Sequence, residues 1–375
     1  MIDLAFKNLF HDKLRLLITL SGVAFAVTLV FVQIGLFLGL LNNATITIEK
    51  LNADLWVTSR NTPNVDFATP FNQTLAQRAR SIPGVERADN LIVWFMMMAL
   101  PSGARETTVI YALEDFERWN MPWKVIEGSP ADLRRGDYIM MDESSEKRFG
   151  AFKVGEYREV LGRRLKIIGR TAEARSFTTT PISFIDYRLA QSLDTQNLRG
   201  QTTYTLIKLK PGADINAVRA ELERRLPFND IYTSAEWAKR SRDYWVESTG
   251  IGLNMYLTVF LGCLVGIVVV AQTLYTSTME HIKEFGTVKA IGGTDRDIYA
   301  ILTKQASIAA LLGFALGALQ TMAVTPLIKS LDLKLIIPPQ LGTLVFIGTF
   351  VLCLSASMIS FRKVASIDPA LVFRQ

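Results

Sequence analysis

Chemistry needs particular side chains at particular spacings, and this chain is short of them. Its 375 residues hold two histidines, His11 and His281, and two cysteines, Cys263 and Cys353. A histidine triad or a histidine-based metal site has no material here. No H-E-x-x-H, no C-x-x-C and no G-x-x-x-x-G-K-[ST] occurs, so the chain cannot cradle ATP as a P-loop protein does. Acidic pairs such as Asp142/Glu143 lie in polar stretches and read as solvated surface. The expectation is a protein with no catalytic, metal-binding or cofactor-binding residues of its own, and not an enzyme by itself.

What the chain has instead is a patterned connector. Across Thr278–Asp295, the run Met279–Ile291 reads as a short amphipathic helix that shows Ile282, Phe285 and Val288 among charged neighbours. Gly292-Gly293 breaks it, and Thr294 caps the next helix with Asp297 three residues on. A compact helical elbow of this kind suits docking into a groove of a soluble partner; a turn lying on a membrane surface would share the same spacing.

The elements that carry this elbow are apolar. The chain is 49% hydrophobic and 20% charged, with a mean hydropathy of +0.23, and a soluble domain usually carries about a quarter charged residues. Four stretches lack Asp, Glu, Lys and Arg altogether: 33 residues between Arg15 and Glu49, 32 between Glu247 and Glu280, 24 between Lys304 and Lys329, and 27 between Lys334 and Arg362. A helix crosses a bilayer with about 20 mostly apolar residues, so four spans are expected, and a soluble enzyme or secreted domain is excluded. The first stretch is too long for a signal peptide and has no small-residue cleavage site after it. Both cysteines fall inside spans, so the polar part of the chain has no disulfide framework and must rest on its own apolar core.

Charge sets the topology. Lys7, Lys13 and Arg15 precede the first span; Lys283, Lys289, Arg296 and Lys304 lie around the elbow; Arg362, Lys363 and Arg374 end the chain. The positive-inside rule places these on the cytoplasmic side and the long segment after the first span outside. The net charge of +6 comes from scattered residues, which argues against nucleic acid as a partner. With no Asp, Glu, Lys or Arg inside any of the four charge-free stretches, an ion channel or proton-coupled carrier is a poor reading. Gly35/Gly39, Gly262/Gly266 and Gly313/Gly317 recur at four-residue spacing, which suits close helix packing within one subunit or at a dimer seam.

The expected fold is therefore a membrane α-helical protein of four transmembrane helices, with a large α+β periplasmic domain between helices 1 and 2. Its parts are an amphipathic N-terminal helix (1–15), spans at 16–41, 251–278, 298–325 and 341–361, the elbow (279–297), a short external loop (326–340) and a cytoplasmic tail (362–375). The external segment 42–250 divides into a split β-α-β module (42–113 and 198–234), an inserted mostly-β subdomain (114–197) and a stalk helix (235–250). Asp214 is expected to cap a helix reaching Leu226, Trp94–Met98 to be a buried strand, and the two-proline loop Asn61–Pro70 to be exposed.

Three motifs resemble those of FtsX/MacB/LolC-type ABC transporter permeases, a mechanotransmission family. Glu284–Gly293 matches the family's E-[IF]-G-x-x-[RK]-A-[IL]-G-[AG] after the second helix. Ala5-Phe6-Lys7-Asn8-Leu9 with Lys13–Leu17 and Gly22 resembles its N-terminal amphipathic helix, and Ile367–Arg374 its terminal D-P-A-x-x-[LF]-R. The external part and first span look most like the DevC branch. The resemblance implies a dimeric permease in the bacterial inner membrane, multi-pass with both termini cytoplasmic. A separate ABC ATPase subunit would bind the ATP and magnesium, this chain needing no cofactor, and would grip Ile282, Glu284, Phe285, Gly286, Val288, Lys289, Ala290, Gly292 and Gly293, with Asp368, Pro369 and Arg374 as a tail contact. A chain that starts at the membrane helix, unlike MacB with its fused ATPase, would need that subunit supplied apart. The other implied partners are a second permease copy, a periplasmic membrane fusion protein with an outer-membrane channel, and membrane lipid. Export of a lipid-like or amphipathic substrate is the expected function; an FtsX-like regulator of a cell-wall hydrolase and a Lol-type lipoprotein-releasing permease are the alternatives.

Overall fold

A computed structural model of the chain describes residue 6, residues 13–280, residue 287, residues 294–331 and residues 333–365. It divides into two compact units, Met1–Gly39 with Gly252–Gln375, and Leu40–Ile251.

The first unit is a bundle built from four helices, Lys13–Lys50, Ile251–Glu280, Asp295–Ser330 and Pro339–Ala365. All four are long and apolar enough to cross a membrane. The first span is the one the others gather around. Its Val23, Val27, Val30 and Phe31 are buried in one cluster with Val270, Ala306, Ala310, Leu341, Val345, Cys353 and Ala356. Glycines let the backbones come close. A Cβ at Gly262 would stand 2.7 Å from Leu29 Cδ2, one at Gly266 2.9 Å from Ala26 Cβ, and one at Gly317 2.6 Å from Val27 Cβ. Both of these spaced pairs, with Gly313 against Val23, are thus used for packing inside one subunit. Several hydroxyls of the third helix are satisfied locally: Thr303, Ser307, Thr321 and Thr325 each donate to the carbonyl four residues back, the arrangement that lets a polar side chain sit in hydrocarbon.

The expected first span ends at 41, but the helix runs on to Lys50. The reason is burial: Ala44, Ile46 and Ile48 are covered, and Ile48 joins Leu51 and Ala53 in the main core of the second unit. The helix is thus buried on every side over residues 44–48, and that burial carries it past the apolar stretch.

The second unit is built on strands β1 (Leu55–Ser59), β2 (Phe71–Asn72), β3 (Val85–Ala99), β4 (Arg105–Leu113), β5 (Val125–Glu127), β6 (Tyr138–Asp142), β7 (Tyr157–Val160), β8 (Arg163–Thr171), β9 (Ile182–Asp186), β10 (Gln201–Thr202), β11 (Tyr204–Leu209) and β12 (Asn229–Thr233). One ten-stranded sheet has the order β12-β1-β11-β3-β4-β9-β6-β8-β5, with β7 pairing both β3 and β8; β10 and β2 form a separate pair. Most neighbours are antiparallel, but β4 runs parallel to β9 and β6 to β8. The strands of the 114–197 segment thus extend the same sheet as the two β-α-β ends.

Strand periodicity sorts the core. Leu55 and Val57 of β1 point into a layer with Ile207, Leu209, Val218 and Leu222, under the helices Leu75–Arg80 and Ile215–Arg225. Trp56 between them points to the opposite face, with Leu91, Tyr204, Leu206 and Trp237. Asp214 caps Ile215–Arg225 by accepting from the Asn216 amide at 2.9 Å. Within Trp94–Met98, Met96 and Met98 are buried and only Met97 is exposed, so this run is a packed strand. The stalk region is a capped helix, Ser234–Asp243, with the reciprocal Thr233/Glu236 box. A π-helical turn, Tyr244–Ser248, follows, and Gly250 at φ +72° closes the segment.

Candidate functional site

The residues assigned to coupling, Ile282, Glu284, Phe285, Gly286, Val288, Lys289, Ala290, Gly292 and Gly293, lie outside the described residues, as do Asp368, Pro369 and Arg374 of the tail. The flanks of the elbow are described. The second span helix ends at Glu280, whose carboxylate takes a two-pronged ion pair from Arg15, Nη1 to Oε2 at 2.6 Å and Nη2 to Oε1 at 2.7 Å. The planar guanidinium fork fixes orientation as well as distance, so the end of the second span is tied to the start of the first. Thr287 is helical and exposed. At the far flank, Asp297 accepts from both the amide and the hydroxyl of Thr294, each at 2.8 Å, while its own amide donates to the Thr294 carbonyl at 3.0 Å. The cap expected from the sequence is formed, and it launches the third span helix at Asp295. Of the two described flanks, one thus carries a long-range ion pair and the other a local cap.

No cluster of three or more His, Cys, Asp or Glu side chains that could hold a metal occurs among the described residues. The external unit has a cleft of about 590 Å³ lined by Gln73, Arg80, Asn90, Glu114, Tyr187 and Gln191, among others. Its buried polar groups are spent on one another. Asn90 Nδ2 donates to Glu114 Oε1 and to the Gln73 carbonyl, both at 3.1 Å. Tyr187 Oη donates to the Gln201 carbonyl at 3.0 Å, and Gln191 Nε2 to Gln73 Oε1 at 2.8 Å. Arg80 bridges Asp89 and Glu114. This network braces the Gln73–Arg80 region against the helix Tyr187–Leu193 rather than leaving groups aimed at a ligand.

The loop Asn61–Pro70, expected to be exposed, is turned inward. Thr62, Asn64, Val65 and Asp66 are buried, Asp66 at 3% exposure, while Phe67 is half-open. The correction has a physical cause. Side chains remote in sequence satisfy this backbone: Tyr204 Oη donates to the carbonyls of Asn64 (3.2 Å) and Val65 (3.0 Å), and Arg240 Nε to that of Thr62 (3.1 Å). The Phe177 amide donates to Asp66 Oδ2 at 3.3 Å. Burial pushes the Asp66 carboxyl up to about 7 from its ordinary 3.8, with that one amide bond pulling the other way.

The fold and its spans define a multi-pass membrane protein with a mixed α/β domain between the first and second membrane helices. A family profile described as MacB-like periplasmic core domain matches residues 16–225, and one described as FtsX-like permease C-terminal matches residues 256–369. The chain belongs to the MacB/FtsX family of ABC transporter permeases. It is 26% identical over 377 residues to an uncharacterized ABC transporter permease of Mycobacterium tuberculosis, covering 100% of this chain and 99% of that one. A Methanocaldococcus jannaschii permease is 20% identical over 361 residues, 89% of this chain and 86% of the relative. Among solved structures, the periplasmic region of MacB from Actinobacillus actinomycetemcomitans is 11% identical at a TM-score of 0.38, covering 50% of this chain and 92% of that one. The extracellular domain of the noncanonic ABC-type transporter YknZ from Gram-positive bacteria is 12% identical at 0.36, covering 48% and 98%.

Proposed function

We propose that this permease is a transmission subunit: a separate ATP-hydrolysing subunit grips the elbow around Glu284–Gly293, and the spans carry that motion to the external domain. The external domain then expels a lipid-like or amphipathic substrate through a periplasmic membrane fusion protein and an outer-membrane channel. ATP and magnesium are bound by the ATPase, both termini face the cytoplasm, and the membrane is the bacterial inner membrane. The observation that carries this reading is the character of the bundle. Its four charge-free stretches share one buried cluster, and a Cβ added at Gly262, Gly266, Gly313 or Gly317 would come within 3 Å of the first span, a construction suited to moving as a body rather than to solvating a cargo.

A second copy completes the assembly. The second span turns a stripe of exposed side chains outward, Leu253, Tyr256, Leu257, Phe260, Leu261, Leu264, Val265 and Val268. The stripe repeats at helical spacing over about four turns and supports a seam with another permease or with membrane lipid.

The test is to replace Gly292 with Trp, and separately Glu284 with Trp, and to co-purify each variant with the ATPase subunit in nanodiscs. ATPase stimulation by the permease is expected to fall at least tenfold in both, with membrane insertion unchanged. Normal stimulation and export in both variants would remove the elbow from the mechanism. Co-purification of a cell-wall hydrolase or a lipoprotein chaperone in place of an adaptor would redirect the reading to the regulator or to lipoprotein release.

A further inference from the structure

We infer that Thr62–Phe67 is a protonation-gated strap, which fastens the sheet to the segment Ser234–Ser248 while Asp66 carries a proton and loosens when that carboxyl ionises. The inference concerns the external unit alone and stands whether or not the export reading does.

The strap makes no strand ladder. It is fastened by side chains on elements far apart in sequence, Tyr204 of β11, Arg240 of the stalk helix and the amide of Phe177. At its end Phe67 meets Tyr244 and Trp245 of the π-helical turn, with ring centroids 6.2 and 5.7 Å away, and Phe95 of β3 at 6.2 Å. Phe177 stacks flat on Trp245, centroids 3.9 Å apart and planes 11° from parallel. One short segment thus closes the sheet, the Arg175–Pro181 turn and the stalk against each other.

The fastening is incomplete in a specific way. Asn64 Nδ2, Trp237 Nε1, Ser241 Oγ and Trp245 Nε1 are buried with no hydrogen-bond partner among the described residues. Each such group costs stability, so this interface is poised rather than locked. At its centre is a carboxyl. The groups that face Asp66 carry no charge at neutral pH: the Phe177 amide, and the phenols of Tyr111 on β4 and Tyr204 on β11, both held protonated by burial and by the Asp66 charge itself. From the first helix the neighbouring group is the Thr47 hydroxyl, bonded to Tyr111 at 3.2 Å. The stalk helix brings Arg240, but its Nε is spent on Thr62 and its guanidinium lies over the Tyr232 ring at 5.5 Å. Among the described residues Asp66 forms no salt bridge. An anion here has one long bond and no counter-charge, which a low-dielectric site penalises. At Asp142 burial also raises the carboxyl, but there bonds from Ser144 and Ala174 and the nearby Arg175 charge pull the other way, with Thr171 as a further donor.

The sign follows from linkage. With the strap open, Asp66 titrates near 3.8; closed, near 7. Below pH ~4 both forms are protonated and closure is strongest. From there the closed-to-open ratio falls about tenfold per pH unit, and it levels off above pH ~7. Between pH 5 and 7 the loss is about fiftyfold.

Hydrogen exchange of the full chain in nanodiscs at pH 5, 6, 7 and 8, corrected for intrinsic rates, tests this. Protection of amides in 62–67 and 240–248 is expected to fall about 50-fold from pH 5 to 7 and little further at pH 8, with no equal fall in β8. D66N is expected to remove the slope and stay protected, Asp142→Asn to keep the slope, and Tyr204→Phe to lower strap protection at every pH. A flat wild-type profile, an equal slope in β8, or a slope that survives in D66N would overturn the inference. Should D66N fail to fold, the wild-type profile and Tyr204→Phe decide it: a flat profile refutes the strap, and so does unchanged protection in Tyr204→Phe.

Discussion

Replacing Phe184 with Ala should cost the external unit about 4 kcal/mol. Phe184 stands on β9 and is fully buried. Its ring meets Tyr111 at 6.2 Å, Phe116 at 6.5 Å and Trp123 at 6.2 Å between centroids. Truncating a buried Phe costs about 3–5 kcal/mol through lost transfer energy and the cavity left behind, and three aromatic contacts place this site in the upper part of that range. For a unit the size of Leu40–Ile251, each kcal/mol moves the melting temperature by roughly 2–4 °C, so a drop of roughly 10 °C follows. Calorimetry on the full chain in nanodiscs reads the external transition directly. Phe228→Ala is the matched control: that ring is 80% exposed, and its loss should stay within about 0.5 kcal/mol. The transition should remain single, because β9 is hydrogen-bonded between β4 and β6 in one sheet. A loss below about 1 kcal/mol, or a partial transition that leaves β1, β11 and β12 folded, would refute the continuous core.

Two further outcomes can be checked with similar economy. Gly317→Leu would push a side chain into Val27 Cβ at 2.6 Å and the Ala24 carbonyl at 2.9 Å. It should destabilise the bundle by at least about 1–3 kcal/mol, while Gly348→Leu, with nothing within 4 Å, should be neutral; equal thermal stability of the two purified variants would contradict the packing described. On the proposed topology, a cysteine at Ser102, an exposed position in the turn after β3, should react with an impermeant maleimide added on the non-cytoplasmic side, and one at Gln375 should not. The reverse labelling would invert the topology.

Much of this architecture can be read from charge and period alone. Four gaps in the charged residues locate the spans because hydrocarbon tolerates no unpaired ion. The Thr294/Asp297 cap and the Asp214 cap are local bonds, written in three or four residues. The strand Trp94–Met98 declares itself by composition. What eludes a linear reading is whatever depends on distant partners. The loop at Asn61–Pro70 has the prolines and polar residues of a surface turn, yet Tyr204, Arg240 and Phe177 supply its bonds from more than 100 residues away. The first helix passes its expected end because Ile48 finds a core made by β3, β4 and β11. The parallel pairing of Val109 with Ile182 has no local signature at all. The expected elbow at Glu284–Gly293 lies outside the described residues; of its flanks, the Thr294 cap is legible in the sequence and the Arg15 tie to Glu280 is not, since it joins residues 265 apart.

The side-by-side course of β4 and β9 has a consequence for where this domain can change length. Leu113 and Asp186 are register partners, so the ladder itself closes the chain between them into a loop whose two ends stand side by side. That loop supplies β9 and part of the shared core. Insertions are therefore tolerable in the turns between its strands, where backbone meets water, and not in the strands that fill the sheet.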